Sequence, residues 1–276
     1  MIINIIIILI SAFCVCNFIL FLFPLKKEEF FTNEERAEEY IYSKEKYSTV
    51  FVGSGLTGHL INTGHNSDAF NLFLPYSGAC TGVEIVARSA KIPRVLFIET
   101  NCIFKGYNEK LIRSLYTPIN YWLKFFLPVL QRKHHFLSIL KLMIKWFKEE
   151  RAMLKAELPE LDYEQLEIFR EFYNQPPDKR QLGDLMESLK KYVDEIATKD
   201  CTVIFFEMPL ERSIANSLLA SYQRTELKKI FPIDKYTWIE PNPLDTYYTQ
   251  DGIHLLEESA LRYSKHLATS RNRILS

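Results

Sequence analysis

The chain has 276 residues, of which 47% are hydrophobic and 25% charged, which is enough apolar material for the core of one large domain. Its 34 basic and 34 acidic side chains give a formal net charge of zero, so nothing in the bulk charge favours a nucleic acid as partner. The five cysteines have no CxxC spacing, and no metal site or cofactor is predicted.

The first predicted element is a transmembrane helix. Residues 2–23 are apolar except for two asparagines and one serine, and about 20 such residues are enough to cross a bilayer. A cleaved signal peptide is the alternative, but no basic residue precedes the stretch and no small-x-small cleavage site ends it. We therefore expect an uncleaved anchor over residues 1–25, with an orientation that the flanking charges leave open.

An acidic, helix-like linker over residues 26–46 leads into the domain predicted for residues 47–276. Short β-branched and aromatic runs at residues 49–52, 69–74, 94–98 and 202–206 each end in a turn, and helical patterns separate most of them. This alternation predicts an α/β fold, a flavodoxin-like three-layer α/β/α sandwich with a parallel sheet, whose ligand crevice lies at the carboxyl ends of the strands.

A helical insertion is predicted at about residues 108–190, where long helices replace the strand pattern. Bulky apolar residues such as Trp122 and Phe126 alternate there with basic ones such as Lys124 and Lys141. Such a stripe is usually ordinary core packing, but a basic amphipathic helix can also lie in a membrane interface or dock a partner.

A serine and a histidine–aspartate pair supply the candidate chemistry. A serine hydroxyl becomes an effective nucleophile when an imidazole takes its proton and a carboxylate orients that imidazole. Ser54 follows the first strand between two glycines, and His254 follows Asp251 by three residues, just before the last helical run. Two alternatives stay open: Gly-Ser-Gly is also ordinary loop sequence, and Asp251 could cap the final helix while His254 packs against its first turn.

Four blocks in chain order extend this pattern: Gly53-Ser54-Gly55-Leu56-Thr57, Gly78, Asn101 and Asp251-x-x-His254. Their order and strand-end placement resemble the SGNH (GDSL-like) hydrolase superfamily over roughly residues 46–107 and 193–267. The resemblance implies Ser54 as nucleophile, His254 as base and Asp251 as its orienting acid. It further implies an oxyanion hole formed by the backbone N–H groups of Ser54 and Gly78 and the side chain of Asn101.

The first and third blocks depart from the usual pattern. Gly53-Ser54-Gly55 stands where Gly-Asp-Ser or Gly-Ser-Ser is more usual, and Glu99-Thr100-Asn101-Cys102 stands where Gly-x-Asn-Asp is expected. Asn101 could instead be a turn residue, and Gly78 could serve only a positive φ angle. The Glu207-Met208-Pro209 turn resembles one near the active rim of membrane-tethered members, which makes Glu207 a candidate supporting residue.

An anchored domain of this kind is similar to proteins that work beside membrane-bound O-acyltransferases in decorating cell-surface polysaccharides. The resemblance implies a serine esterase or O-acyltransferase for acetyl or other short acyl esters of such a polysaccharide. It would lie in the inner (plasma) membrane, with its catalytic domain periplasmic or otherwise extracytoplasmic. The alternatives are an inactive anchored carbohydrate-binding or assembly partner, and a tethered structural protein whose insertion binds lipid or a partner helix.

Overall fold

The computed structural model describes residues 2–22, 32–60, 68–135, 138 and 161–275. In chain order the helices are α1 (Ile2–Leu22), α2 (Asn33–Tyr42), α3 (Gly78–Arg88), α4 (Glu109–Tyr116), α5 (Pro118–Phe126), α6 (Tyr163–Tyr173), α7 (Lys179–Ala197), α8 (Arg212–Ala215), α9 (Leu218–Ile230) and α10 (Glu257–Leu275). The strands are β1 (Thr49–Gly53), β2 (Ala69–Phe73), β3 (Val95–Glu99), β4 (Thr202–Phe206) and β5 (Thr237–Ile239). The chain divides into two units, one of Met1–Glu45 with Glu109–Glu157 and one of Lys46–Asn108 with Leu158–Ser276.

The second unit contains a five-stranded parallel sheet in the order β2-β1-β3-β4-β5. This is the strand order of flavodoxin-like doubly wound folds, and it confirms the predicted α/β class with helices flanking a parallel sheet. Four strands lie where the sequence predicted them. The fifth, β5, has only three residues and pairs with the end of β4.

The sheet is buried because its strands are apolar on both faces, as parallel strands in α/β proteins generally are. On one face, Phe97 and Phe206 pack in a cluster with Ala260, Tyr263 and Leu267 of α10. Phe205 stacks on Trp238, with ring centroids 4.9 Å apart, and its ring also lies 4.6 Å from that of Phe231. These clusters hold β3 and β4 at the centre of the sheet, where their ends carry polar residues.

The first unit contains α1, α2, α4 and α5. The predicted linker over residues 26–46 includes α2, and this helix is packed into the unit instead of standing apart. Glu38 Oε1 lies 2.6 Å from Lys124 Nζ, and Glu39 Oε2 lies 2.8 Å from Lys133 Nζ, with both glutamates buried. A buried carboxylate needs such a partner, and the lysines supplied by the insertion explain why acidic α2 belongs with it.

The predicted insertion at about residues 108–190 is divided between the two units. Its part up to Glu157 belongs with α1 and α2, whereas α6 and α7 belong to the unit that contains the sheet. Most of the basic aromatic stretch after residue 135 lies outside the described residues. The apolar helix predicted at the N-terminus is present as α1, and residues Ile3–Leu22 are long and apolar enough to cross a membrane.

Candidate functional site

The candidate site lies at the carboxyl edge of the sheet, where β1 and β3 are neighbours. In the order β2-β1-β3-β4-β5 this is the point at which the order of strands reverses, the usual ligand position in open α/β sheets. The chain leaves β1 at Gly53 into Ser54 and leaves β3 at Glu99 into Thr100 and Asn101. The predicted first and third blocks are therefore on adjacent strand ends.

The structure brings Asp251 and His254 together as a hydrogen-bonded dyad. His254 Nδ1 lies 2.6 Å from Asp251 Oδ2, and the second carboxylate oxygen accepts the backbone N–H groups of Ile253 and His254 at 3.1 and 2.8 Å. The carboxylate fixes Nδ1 as the protonated nitrogen and leaves the Nε2 lone pair available. The His254 side chain is 32% exposed, so this nitrogen belongs to a group that solvent or a substrate can reach.

The loop that carries the dyad is a small antiparallel turn. Thr249 bridges Leu255, Gln250 N donates to the carbonyl of His254 at 2.8 Å, and Leu256 N donates to Tyr248 at 3.0 Å. Helix α10 begins only at Glu257, six residues after Asp251. Both Asp251 oxygens are used within the loop, so the helix-cap interpretation of this aspartate does not hold.

Electrostatics in the loop favour an ionised aspartate beside the imidazole. Partial burial acts to raise the pKa of Asp251, but the hydrogen bonds from the His254 ring and from two backbone N–H groups outweigh it and lower that pKa. A second imidazole, His59, lies with its ring centroid 5.2 Å from that of His254. Partial desolvation, and then the proximity of His254, lowers the pKa of His59.

Ser54 is fully buried, at 0% exposure, and its polar groups face inward. Its backbone N–H donates to Glu99 Oε2 at 2.5 Å, and its hydroxyl oxygen accepts the backbone N–H of Leu56 at 3.2 Å. The side chain therefore caps the short 3-10 helix at Gly55–His59. Among the described residues, no hydrogen bond joins the Ser54 hydroxyl to His254.

The carboxyl group of Glu99 supports the loop after β1 through its bond to Ser54. The sequence did not predict this contact. The Glu99 side chain is fully buried, and its Oε1 has no hydrogen-bond partner among the described residues. Burial raises the pKa of Glu99, and the bonds from Ser54 oppose that rise only in part. A Cβ at Gly53 would come within 2.8 Å of this carboxyl and 2.4 Å of Thr57, so only glycine fits where the loop crosses it. The one available signal was a glutamate ending a wholly apolar strand.

Gly78 and Asn101, the other predicted oxyanion donors, are also engaged. Gly78 has a φ of +67° and its backbone N–H donates to the carbonyl of Leu74 at 3.2 Å. Asn101 is buried, donates from Nδ2 to the carbonyl of Met208 at 3.0 Å and accepts the Met208 N–H at 2.7 Å. The amide thus ties the end of β3 to the turn after β4.

Glu207, predicted as a supporting residue, belongs to that turn and forms an ion pair. Its Oε2 accepts from Arg224 Nε at 2.8 Å, and its Oε1 accepts from the same guanidinium. Tyr263 donates its hydroxyl proton to the Glu207 carbonyl. The turn after β4 is therefore held by α9 and α10.

Position 55 offers open space next to the buried serine. A Cβ built on Gly55 would meet one atom within 4 Å, the Cβ of Pro75 at 4.0 Å. Tyr76, the residue after Pro75, is 92% exposed with a left-handed backbone at φ 66°, an unusual conformation for a bulky residue.

The site therefore has two parts. Asp251 and His254 form a dyad with an accessible base, with His59 beside it, whereas Ser54, Gly78 and Asn101 direct their polar groups into bonds within the protein. Within the described ranges, no group of three or more His, Cys, Asp or Glu side chains could hold a metal ion. No protein-family model matches the chain, and no curated protein matches it either, so the geometry and the ordered motifs carry the functional argument.

Proposed function

We propose that this chain is a membrane-anchored acyl-ester enzyme, an esterase or O-acyltransferase, in which the Asp251–His254 dyad supplies the base. The observation that carries the proposal is the 2.6 Å bond between Asp251 and His254 Nδ1, which leaves Nε2 available at the edge of the sheet. An imidazole held in this tautomer by a partly buried carboxylate is the arrangement that general-base catalysis requires.

The burial of Ser54 favours a route in which His254 acts directly on the attacking oxygen. Nε2 takes the proton of a water molecule or an acceptor hydroxyl as that oxygen bonds to the ester carbonyl carbon. The tetrahedral adduct then collapses, the bond to the leaving alkoxide breaks, and the imidazolium returns its proton to that oxygen. Asp251 stays ionised throughout and stabilises the imidazolium. The covalent route predicted from the sequence, through Ser54, requires its hydroxyl to leave the bond to Leu56.

The substrate in this proposal is a short acyl ester, such as acetyl, of a cell-surface polysaccharide. The apolar helix α1 supports a membrane anchor. The resemblance adds the rest of the proposal: a domain on the extracytoplasmic side of the inner (plasma) membrane, next to a membrane-bound O-acyltransferase. Tyr76 supports a carbohydrate acceptor, because its exposed ring offers a flat apolar face one residue after Pro75, whose Cβ faces position 55. When an exposed aromatic residue at a candidate site has a strained backbone, the strain is more often explained by function than by stability.

Turnover by the full chain in detergent tests the proposal. We expect the protein to hydrolyse a chromogenic acetyl ester, or to transfer its acetyl group to added oligosaccharide, and His254→Gln to lose about 10²–10⁴-fold in kcat/KM. His266→Gln is the matched control, because His266 lies in α10 and its ring bonds the carbonyl of Glu240. Equal rates for wild type and His254→Gln, or no turnover of any acyl ester, would contradict an enzymatic role.

A second candidate is an inactive anchored partner that binds carbohydrate or assists an acyltransferase. The engagement of all three predicted oxyanion donors favours it, since none is directed at a reacting oxygen. This candidate predicts oligosaccharide binding that Tyr76→Ala weakens and His254→Gln leaves unchanged, with no turnover. Labelling by a fluorophosphonate that Ser54→Ala abolishes would exclude it.

A further inference from the structure

Helix α5 exposes an apolar face that no described part of the chain covers. Ile119, Trp122, Leu123 and Phe126 recur at the i, i+3, i+4 and i+7 positions of one helix face, and Phe125 flanks them. All five side chains are between 43% and 71% exposed. Soluble surfaces rarely present so many large apolar groups together, and such patches usually mark a protein or membrane contact.

The opposite face of α5 is the one that packs against protein. Lys124 bonds the buried Glu38 at 2.6 Å, and the ring of Tyr121 lies 5.8 Å from that of Tyr42 on α2. The charged and hydroxyl-bearing side chains of the helix thus point into the unit, while its aliphatic and aromatic side chains point out. This polarity is the reverse of that expected for a helix surrounded by water.

The segment that follows α5 contacts α1 inside its apolar run. The backbone N–H of Val129 donates to Asn17 Oδ1 at 3.2 Å, and Asn17 Nδ2 donates to the carbonyl of Phe13 at 2.9 Å. Asn17 lies five residues before Leu22, the last residue of α1, which at 1.5 Å per residue is about 8 Å along the helix axis. Amphipathic helices in membranes bury their apolar faces to a depth of about 5–10 Å.

We infer that the exposed face of α5 lies in the interface of a phospholipid bilayer, beside the point where α1 enters it. This inference rests on the proposal that α1 spans the membrane. The contact at Asn17 places the end of α5 close to the interfacial depth, and the apolar face then meets acyl chains instead of water. The polar groups of Asn17 meet the general requirement that polar groups at membrane depth be satisfied by protein.

Fluorescence of the full chain in phospholipid vesicles tests this placement through Trp122. The signal of Trp122 is obtained as the difference between wild type and Trp122→Phe, a variant that keeps an aromatic ring against Phe125 and Phe126. We expect lipids brominated near the headgroup, at acyl carbons 6 and 7, to quench this signal more strongly than lipids brominated at carbons 11 and 12. Acrylamide in the aqueous phase should quench it only weakly.

Trp238→Phe is the matched control, because the Trp238 ring stacks on Phe205 and its difference signal should respond to neither lipid. Strong acrylamide quenching without lipid quenching would place α5 in water and overturn the inference. Protection from all quenchers would show that a second copy or another protein covers the face, which also overturns it, as would stronger quenching by the deep bromines.

Co-flotation with the vesicles separates the two proposals. A wild-type chain that does not float would overturn the membrane span of α1 and the interfacial placement of α5 together. A chain that floats but whose Trp122 is not quenched by lipid would leave the anchor standing and overturn the interfacial placement alone.

Discussion

Two loops at the carboxyl edge of the sheet use their polar groups in opposite ways. In the loop after β1, Ser54 is buried and both its N–H and its hydroxyl are bonded within the protein. In the loop before α10, Asp251 binds one nitrogen of His254 and leaves the other nitrogen of a 32% exposed side chain available. The first loop turns its polar groups inward, and the second leaves an imidazole nitrogen available.

The difference shows that a serine can occupy the position that a motif predicts without having the exposed, base-activated hydroxyl that the motif implies. Ser54 satisfies the order of the motif, but its environment is set by Glu99, which lies 45 residues further along the chain. His254 satisfies the order as well, and its environment is set within three residues by Asp251. Substitutions in each loop test whether catalysis, stability or both depend on it.

Asp251→Asn is expected to produce the largest effect, a loss of about 10³–10⁴-fold in kcat/KM at neutral pH. The asparagine carbonyl can still accept the backbone N–H groups of Ile253 and His254, so the loop is retained. Its NH₂ group, however, would donate to Nδ1 and shift the proton of His254 onto Nε2, which removes the base. Steady-state kinetics on an acetyl ester measure the loss.

Asp245→Asn is the control for that variant, since Asp245 bonds Asn242 and Tyr247 outside the dyad. Retained activity in Asp251→Asn, with thermal stability equal to wild type, would show that the dyad has no role in turnover. The loop before α10 would then be a structural turn, like the loop after β1.

Asn101→Ala is expected to lower the free energy of unfolding by about 2–3 kcal/mol, because it leaves the buried N–H and carbonyl of Met208 unpaired. Chemical denaturation in detergent measures the change, with Asn242→Ala as a control in a loop near the surface. A variant of wild-type stability that loses acetyl-ester turnover would instead identify Asn101 as an oxyanion donor, the role that the resemblance implies.

Glu99→Gln is expected to make stability less dependent on pH. Burial raises the pKa of Glu99, so the folded chain binds this proton more tightly than the unfolded chain. The resulting stabilisation is fully present below the ordinary pKa of 4.5 and is lost as the pH rises through the raised folded-state pKa. Between those two values the wild type should lose about 1.4 kcal/mol per pH unit relative to Glu99→Gln.

Thermal unfolding of both proteins from pH 4 to pH 8 measures this slope. Glu257→Gln, an exposed substitution in the first turn of α10, should follow the wild type. Parallel curves for wild type and Glu99→Gln would show that Glu99 is already ionised in the folded protein, and the loop after β1 would then rest on a charged group.

Much of the fold could be predicted from the sequence because its determinants are local. The first four strands are apolar runs that end at glycine, proline or polar residues, and the dyad forms within a single turn. β5 was missed because three residues, Thr237–Ile239, give too short a pattern. The packing of the acidic helix α2 could not be predicted because its cations, Lys124 and Lys133, come from a segment about 90 residues away.

The state of the candidate nucleophile could not be predicted for the same reason. Gly-Ser-Gly after a strand is compatible with an exposed hydroxyl and with a buried one, and Glu99 decides between them through a contact that spans 45 residues. Asn101 likewise bonds Met208, which lies 107 residues further along the chain, whereas Gly78 bonds Leu74 within its own turn. Motif order predicts which groups approach the edge of the sheet, but not where their hydrogen bonds go.

Ser54→Ala is expected to have the smallest effect on activity. It distinguishes most directly between the roles of the two loops in turnover. Loss of the cap on Leu56 should cost about 1 kcal/mol of stability, measured by chemical denaturation. If His254 acts directly on the attacking oxygen, turnover of an acetyl ester at a temperature well below unfolding should stay within about fivefold of wild type. A loss of a thousandfold or more, with an acetyl adduct on Ser54 in the intact mass of the wild type, would show that the buried hydroxyl turns outward to react.

Gly55→Ser is the complementary substitution, because it adds a hydroxyl group where Ser54→Ala removes one. It places a hydroxyl in the open space next to Pro75, and a fluorophosphonate should label it if that position faces the base.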